Sequence, residues 1–552
     1  MTHRAPTVPH IRLRRLRATR RHRRSATLFS VLLRPLPAAA LLGLALGACD
    51  PPDPAVSVDQ RVIVGRGRDA LTLDPARVTD SESTEVCEQI YEHLVRFRLS
   101  DTGATGDIEP ELAERWDQSG DGKTWTFHLR KGVRFHDGSP MDAEAVVFSF
   151  ERQRDRGHPG HRTDYKYWET SFKNIQRVEK VDSHTVRITI ETAHAPFLSN
   201  LAMTPVAIVS PARTLTTDGL DRNPTGTGPF RFVRWTKDGI VLRRNADYWG
   251  TAPRIETLVY RSIPDPRQRL VALESEAIDV AYSVSPGDMP YVRLHPELVP
   301  LLVESFNVAY LAMQTKHPPF DDARVRRAVN HAVNKLPIVR LLYQQLAVPA
   351  IGPLPERMLG FEPNVRRYAY DPQRARALLV EAGYDQTLRP KLYVMREERP
   401  YLPHPERVAE IIQKNLSDVG MKIDIVVNSF ARHLDLTDKG EHDLALRGWT
   451  SDNADPDNIL ILLDRDNARP GGQNAAYYTD PFVHGQLEWA RLSFDKERRA
   501  ELYRSALRRI ADDAPWVPLA HARVPIATRR DVRGLRHAPS GVLYYRDVFR
   551  NR

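Results

Sequence analysis

The sequence predicts an α/β protein, and three observations support that fold class. Between residues 306 and 450, segments with strand character alternate with segments of helical character, which is the pattern of α/β domains. Within that part, residues 320–343 repeat apolar side chains at helical spacing. Nearer the N-terminus, residues 124–129 alternate apolar with polar side chains, as in a strand that buries one face of a sheet.

The first half of the chain predicts strands joined by turns, with helices between them. In chain order the predicted elements are a strand in VSVDQRVIVGRG (56–67), a loop and an amphipathic helix in 71–97, two turn-bounded strands in 120–152 with a helix from about Ala143 to Arg152, a strand and a helix start in 174–200, and a Gly-Pro turn with a hairpin in 223–250.

The second half predicts strands and helices in alternation. Asp322 is the expected N-cap of the helix in 320–343, and Gly383 is the expected end of a helix in 370–385. The remaining predicted elements are strands in FNVAYLAMQ (306–314), KLYVM (391–395), VGMKIDIVV (419–427) and HDLALRGW (442–449), and a helix in 405–419.

Composition and charge exclude several classes of protein. The chain has 552 residues, of which 41% are apolar and 27% are charged, as in a large globular protein of two or three domains. The net charge is +10, but residues 1–34 contain ten arginines and no acidic residue, so the remainder is neutral (10 − 10 = 0). The basic charge therefore belongs to the leader, and the sequence does not predict a nucleic-acid-binding body.

The leader has the pattern of a secretory signal. An arginine-rich stretch precedes LPAAALLGLALGACD (36–50), whose apolar run is too short and too interrupted by proline for a transmembrane helix. Its end, LGAC, resembles a bacterial lipobox, which implies lipidation of Cys49 and a periplasmic or extracytoplasmic protein anchored to the cell membrane. We expect a signal peptide in 1–48 and a tether in 49–57. An ordinary signal with an incidental cysteine is the alternative, and Sec or Tat export stays open.

The sequence predicts no catalytic centre, no metal site and no cofactor. GxSxG and HExxH motifs are absent from it, and the HxxH of residues 158–161 stands in a Pro-Gly loop. Cys87 has no histidine partner that would mark it as a nucleophile, and Val86, Ile90 and Leu94 recur every four residues around it. That spacing predicts a cysteine buried in a helix face.

GWTSDNADPDN (448–458) places three aspartates directly after a tryptophan. A calcium loop that began at Asp452 would need oxygen ligands where Ala, Pro and Leu stand, so calcium does not fit. Asp455 fits the N-cap of a helix that begins at Pro456, and Asp457 would favour the positive end of that helix. Asp452 is left without a role, and an exposed loop carboxylate is its alternative interpretation.

Several long segments together resemble the extracellular solute-binding proteins of family 5, over about residues 60–550. They are LDPARVTDSES, PELAERWDQSGDGKTWTFHLRKGVRFHDGSPMDAEAVVFSFER, NPTGTGPFRFVRWTKDGIVLRRNADYWG, FNVAYLAMQTKHPPFDDARVRRAVNHAVNK and YDPQRARALL. The resemblance implies a two-lobed periplasmic binding protein of the large, type II-like form, with an extra subdomain in lobe I. We expect lobe I in 58–303, with 521–552 returning to it, and lobe II in 304–520.

Two further segments resemble the dipeptide-binding members of that family: MREERPYLPHPERVAEIIQ (395–413) and GWTSDNADPDN. The resemblance implies that Arg399 binds the C-terminal carboxylate of a peptide and that Asp452 binds its N-terminal ammonium group. It makes Trp449 an apolar wall of the site and makes Tyr401 and Thr450 further ligand-binding candidates. The cysteine pairs of close relatives are missing here, since only Cys49 and Cys87 are present.

The resemblance implies a monomeric substrate-binding lipoprotein that delivers short peptides to the permease and ATPase subunits of an ABC importer, and that is not an enzyme. Three alternatives stay open from sequence. The same fold could carry haem, antimicrobial peptide, glutathione or nickel, because members of one fold differ in their clefts. An exported peptidase and a structural or chaperone role are the other two.

Overall fold

The computed structural model describes residues 60–99, 106–162, 165–538 and 540–551. The leader and Cys49 lie outside these residues. In the described part the chain is a mixed α/β protein, as the sequence predicts, built around one large sheet. Its strands are β1 (Arg61–Arg66), β2 (Val95–Phe97), β3 (Ile108–Pro110), β4 (Ala113–Gln118), β5 (Thr124–Leu129), β6 (Ile175–Asp182), β7 (Thr185–Ile190), β8 (Phe230–Thr236), β9 (Gly239–Arg244), β10 (Thr257–Ser262), β11 (Val280–Ala281), β12 (Leu298–Glu304), β13 (Asn307–Met313), β14 (Ala347–Pro349), β15 (Lys391–Met395), β16 (Asp424–Asn428), β17 (Leu444–Thr450), β18 (Trp516–Arg529), β19 (Val532–Arg533), β20 (Arg536–His537), β21 (Leu543–Tyr544) and β22 (Phe549–Arg550).

Two helices have the ends that the sequence predicts. Asp322 accepts a hydrogen bond from the backbone N–H of Arg324 at 2.7 Å, and Gly383 ends its helix with φ 69°. The α-helices are α1 (Ser81–Ile90), α2 (Ala143–Arg154), α3 (Phe197–Leu201), α4 (Pro211–Thr214), α5 (Gly219–Arg222), α6 (Pro266–Glu274), α7 (Met289–Leu294), α8 (Ala323–Ala332), α9 (Lys335–Leu342), α10 (Pro372–Ala382), α11 (Pro405–Ser417), α12 (Phe430–Asp438), α13 (Asp457–Leu460), α14 (Pro481–Leu492) and α15 (Lys496–Asp513).

The large sheet has the strand order β16-β15-β17-β13-β18-β11-β1-β10-β9-β8, and β12 and β14 also pair with β18. Four further strands, β4 to β7, form a separate antiparallel sheet in the order β4-β5-β7-β6. That smaller sheet and α2 bury their own apolar cluster, which includes Trp125, Phe127 and Phe150. The sheet of β4 to β7 and α2 therefore form a separate layer with its own apolar core.

Strand β18 connects two parts of the chain, which we call the N-terminal region (60–304) and the middle region (307–513). Its first half pairs with β13, for example Leu311 with Val517, and its second half pairs with β12, for example Leu301 with Ile526. The residues after β18 return to the N-terminal region, where the Tyr544 hydroxyl donates to Glu88 at 2.6 Å. The lobe boundaries given above stay a prediction.

Two predicted elements are wrong in detail. The helix predicted in 320–343 is two helices, because Val333 is extended and Pro337 in a continuous helix would clash with the carbonyl of Val333. Residues 120–152 hold one strand, β5, instead of two, because Asp137 and Gly138 close a tight turn in which the Phe135 N–H donates to the Ser139 carbonyl at 2.9 Å.

The segment 174–191 forms a hairpin, β6 and β7, where the sequence predicted one strand. Cys87 lies in α1 and is fully buried, as predicted, with its thiol donating weakly to the Leu73 carbonyl at 3.7 Å. Cys87 is therefore a core residue, and its burial raises the pKa of the thiol well above its usual range.

Candidate functional site

The two segments that carry the predicted site residues meet at one edge of the large sheet. Strands β15 and β17 are parallel neighbours, with Leu392 opposite Leu444. Parallel strands end at the same edge, and ligands of open α/β sheets bind outside the carboxyl ends of the strands. Arg399 follows the end of β15 by four residues, and Asp452 follows the end of β17 by two. The fold therefore brings both residues to this edge.

The Tyr401 ring packs directly on strand β17, at Gly448. A Cβ atom at Gly448 would lie 2.2 Å from Cδ2 of Tyr401 and 2.7 Å from the Val308 carbonyl oxygen, so only glycine fits without movement. The carbonyl of Tyr401 accepts a hydrogen bond from the Tyr343 hydroxyl at 2.8 Å. The close approach joins the segment of Tyr401 to the strand that carries Trp449 and Thr450.

Arg399 is half-buried and is held in place through its backbone and its ring contact. Its N–H donates to the Leu402 carbonyl at 3.1 Å, and the Leu402 N–H donates back at 2.9 Å. The guanidinium carbon lies 4.5 Å from the ring centroid of Phe430, a distance typical of a cation–π contact. Nε of Arg399 is buried and has no hydrogen-bond partner among the described residues.

Asp452 is half-buried, and its two carboxylate oxygens differ. Oδ1 accepts a hydrogen bond from the Tyr167 hydroxyl at 3.0 Å, whereas Oδ2 is buried with no partner in the described part of the chain. Burial raises the pKa of Asp452 from 3.8 to about 6, although the hydrogen bonds from Tyr167 and Asn458 lower it. The alternative of an exposed loop carboxylate is therefore wrong.

Asn458 organises the loop around Asp452. Its Oδ1 accepts hydrogen bonds from the Trp449 indole N–H at 2.9 Å and from the Asp452 backbone N–H at 3.1 Å. The Ser451 hydroxyl donates to the same oxygen at 3.2 Å. Trp449 is partly buried against an apolar cluster, and Thr450 ends β17 opposite Asn307. The roles predicted for these two residues stay predictions.

The other two aspartates of the loop are paired with arginines. Both oxygens of Asp455 lie 2.9 Å from Nη2 of Arg499, and Asp457 Oδ1 lies 2.7 Å from Nε of Arg491. Asp455 also accepts from the Asp457 N–H at 3.0 Å, in the manner of a helix cap. The helix itself begins at Asp457, one residue later than predicted. Of the three aspartates, Asp452 is the one with a buried carboxylate oxygen that lacks a hydrogen-bond partner among the described residues.

Side chains from the N-terminal region reach this loop. Besides Tyr167 on Asp452, the Asn453 amide donates to Asn200 Oδ1 at 2.8 Å and contacts the sulfur of Met203 at 3.4 Å. Nearby, the Ala195 N–H donates to the Arg491 carbonyl at 2.6 Å. The site edge of the middle region is therefore in contact with the N-terminal region.

Residues 107–470 match the family model of the bacterial extracellular solute-binding proteins, family 5 middle. The match covers more than half of the chain. The chain belongs to family 5 of the extracellular solute-binding proteins. The resemblance that the sequence predicts is confirmed, and so is the mixed α/β fold of a periplasmic binding protein.

Named relatives and a solved structure agree with the family assignment. The dipeptide-binding protein of Escherichia coli is 35% identical over 83% of this chain and 88% of its own. Heme-binding protein A of Haemophilus influenzae is 35% identical over 85% of this chain and 89% of its own. The structure of the periplasmic binding protein DppA from Helicobacter pylori, in complex with peptide STSA, superposes with a TM-score of 0.79 at 32% identity, covering 89% of this chain and 98% of that one.

Two further observations concern other kinds of site. Asp464, Asp466 and His484 form the one group in the described residues whose ligand atoms lie close enough, within 4.8 Å, to share a metal ion. Asp464 already accepts hydrogen bonds from His484 and Arg491, each at 2.7 Å, so ion pairing accounts for the group. No described helix of this family 5 protein has the length and apolar character needed to cross a membrane.

Sequence reasoning missed the residues that shape the Asp452 loop from a distance. Tyr167 lies 285 positions from Asp452, and Arg499 lies 44 positions from Asp455. Asn458 is close in sequence, since it ends the segment GWTSDNADPDN, but an asparagine in a loop gives no signal of which groups it binds.

Proposed function

We propose that this family 5 protein is the substrate-binding component of an ABC importer and that it binds short peptides between Arg399 and Asp452. One observation carries the proposal. Nε of Arg399 and Oδ2 of Asp452 are both buried without a hydrogen-bond partner among the described residues. Unsatisfied buried polar atoms of opposite charge, at one edge of the sheet, are what a zwitterionic ligand would satisfy.

A short peptide has the charges that such a site needs. Its terminal carboxylate suits the planar fork of an arginine, and its terminal ammonium group suits a carboxylate oxygen with a free lone pair. Each charge-assisted hydrogen bond contributes roughly 1.5–3 kcal/mol, which offsets the lost hydration of the ligand termini. Trp449, Tyr401 and Thr450 would border the ligand between these two ends, and fixing both ends lets the peptide side chains vary.

The relatives support a peptide as the ligand. One relative is named a dipeptide-binding protein, and the similarity covers 83% of the present chain. The Helicobacter pylori structure holds a peptide. Haem is the second candidate, because a relative of equal identity is named a heme-binding protein. The free carboxylate oxygen of Asp452 favours the peptide, since it calls for a cationic group on the ligand.

We further propose that Cys49 carries a lipid anchor, that the two lobes close on the ligand, and that the closed form delivers it to a membrane permease with its ATPase subunits. The lipobox-like LGAC supports the anchor. Cys49→Ser should release protein from the membrane fraction into the aqueous phase of a detergent partition. Partitioning equal to that of the unchanged chain would contradict the anchor and leave the peptide proposal untouched.

Calorimetry of end-blocked peptides tests the peptide proposal. Asp452→Asn should weaken a free-amine dipeptide by roughly ten- to a hundredfold, because it removes the charge that meets the ammonium group. The same variant should bind an N-acetylated dipeptide with little loss. Arg399→Ala should show the mirror pattern, with a C-amidated dipeptide as the insensitive ligand.

Two exposed residues provide matched controls, Arg396→Ala in the segment of Arg399 and Asp466→Asn in the middle region. Both should leave dipeptide affinity within about twofold. Equal losses for free and blocked termini would mean that Arg399 and Asp452 do not bind the peptide ends. Tight haem binding without any heat from peptides would move the assignment to haem.

A further inference from the structure

A cavity lies between the middle region and the start of β18, and residues other than those of the proposed peptide site line it. It has a volume of about 440 Å³, and the described residues that line it include none of the five predicted to bind the peptide. Its walls are the start of α9, the residues that follow β14, the loop 365–370 and the end of α15. The volume lies within the range of small-molecule sites in proteins.

The walls of this cavity are mainly apolar. Val333, Ile351, Leu507, Ile510 and Trp516 all face it. Trp516 is fixed in place because its ring stacks on Tyr310, with centroids 3.5 Å apart and an interplanar angle of 7°. Such a surface favours a hydrocarbon or aromatic group.

The charged residues around the cavity have one sign. Lys335, Arg366 and Arg367 line it, and no aspartate or glutamate is among its described lining residues. Arg366 and Arg367 are exposed, and Arg366 lies 3.3 Å from Asp512, which neutralises part of its charge. Leu336 and Tyr370 are 51% and 45% exposed, so this side of the cavity borders solvent.

Lys335 is a charged residue of the cavity whose hydrogen bonding is incomplete among the described residues. Its ammonium group donates one hydrogen bond, to the Ala350 carbonyl at 3.0 Å, and an ammonium group has three donors. Burial is the one cause that lowers its pKa, from 10.5 to about 8, and no carboxylate in the described part of the chain counters it. At pH 7 the side chain therefore remains largely charged, in an apolar cavity and without a counter-ion among the described residues.

We propose that this cavity binds a small amphiphilic anion, namely an aliphatic or aromatic carboxylate. Its charged group would lie on Lys335, and its apolar part would lie against Trp516, Leu507 and Ile510. The carboxylate would supply the counter-ion that Lys335 lacks. The exposed arginines would attract the anion to the mouth. The proposal does not depend on the peptide site.

Calorimetry of the full chain with sodium decanoate tests this site. Lys335→Met keeps the length of the side chain and removes its charge. Gly352→Phe narrows the cavity, because Gly352 lines it and a Cβ atom there meets nothing within 4 Å. Lys131→Met, which removes an exposed lysine of the N-terminal region, is the matched control. Decanol serves as the uncharged ligand of equal chain length.

We expect saturable binding of decanoate at a single site that a dipeptide does not compete for. Lys335→Met, and the exchange of decanoate for decanol, should each weaken binding by roughly tenfold or more. Gly352→Phe should remove most of the binding, and Lys131→Met should leave it unchanged within about twofold.

Three results would overturn the proposal: no binding of decanoate, equal binding by the Lys335 and Lys131 variants, or displacement of decanoate by a dipeptide. The last would place the anion at the peptide site. Failure of the peptide experiments on Asp452 and Arg399 would leave the decanoate measurements fully interpretable.

Discussion

The Asp452 end and the Arg399 end of the proposed peptide site are held by the fold in different ways. Asp452 is fixed on both sides, because its backbone N–H donates to Asn458 at 3.1 Å and its carboxylate accepts from Tyr167 of the N-terminal region at 3.0 Å. Arg399 is held within the middle region alone, by the backbone pair with Leu402 and the Phe430 ring.

This difference predicts that the two ends of the site contribute differently to ligand binding. The Arg399 end is complete within one region, so we infer that it can receive a carboxylate whether or not the two regions are closed together. The Asp452 end includes a donor from the other region, so its geometry is complete only when the regions are in contact. We therefore propose that a ligand bound at the Asp452 end favours the arrangement in which the two regions are in contact. Substitutions around the two ends test how strongly the fold stabilises each of them.

The largest effect is expected where the Asp452 loop is anchored. Arg499→Met would leave the carboxylate of Asp455 buried without its positively charged partner. We expect a loss of about 3–5 kcal/mol in the free energy of unfolding, measured by urea denaturation. Arg498→Met changes the exposed neighbour on the same helix and should stay within about 0.5 kcal/mol. Similar results for the two variants would show that the ion pair does not support the loop.

A smaller effect on stability is expected at the contact between Gly448 of β17 and the Tyr401 ring. Gly448→Ala places a Cβ atom 2.2 Å from the Tyr401 ring, which has to move. We expect a loss of about 1–3 kcal/mol in unfolding free energy and weaker binding of both free and blocked peptides. Gly485→Ala is the control, because its Cβ meets nothing within 4 Å in α14. It should stabilise the protein by about 0.5–1 kcal/mol. A neutral Gly448→Ala would mean that the contact with Tyr401 is loose.

A third effect, of about the same size and present only above about pH 4, concerns the free energy of unfolding that the buried charge of Asp452 costs. The pKa of Asp452 is raised from 3.8 to about 6 in the folded chain, so folding favours its protonated form. The stability of the unchanged protein relative to Asp452→Asn should therefore fall as the pH rises from about 4 to about 6. At about pH 7 the Asn variant should be more stable by roughly 1–3 kcal/mol, and below about pH 4 the two should match. A pH-independent difference would contradict the raised pKa.

Local signals in the sequence predicted much of the fold. Asp322 and Gly383 mark helix ends through hydrogen bonds that span two to four residues, so their roles can be predicted without tertiary structure. The ligand-binding roles of Arg399 and Asp452 were implied by the family resemblance and stay predictions, whereas the parallel pairing of β15 with β17 explains why both residues lie at one edge of the sheet.

The partners of the site could not be predicted in the same way. The hydrogen bond from Tyr167 and the ion pair of Asp455 with Arg499 join residues far apart in sequence. A tyrosine or an arginine in a helix gives no local sign of the carboxylate that it will meet, because that choice is made by packing. The sequence thus predicts helix-end roles for Asp455 and Asp457, and it gives no sign of Arg499 and Arg491, which hold them.

We propose above all that Asp452 binds a cationic group of the ligand, and titration of the Asp452 carboxyl group tests this most directly. Carbon NMR of the Asp452 carboxyl group, assigned by comparison with Asp452→Asn, would follow its pKa in the free protein and with peptides. We expect a pKa of about 6 without ligand, because burial leaves one oxygen unpaired. A free-amine dipeptide should lower that pKa, since a nearby ammonium group favours the charged carboxylate, whereas an N-acetylated dipeptide should not. A pKa that no peptide moves, or that both peptides move equally, would contradict the account.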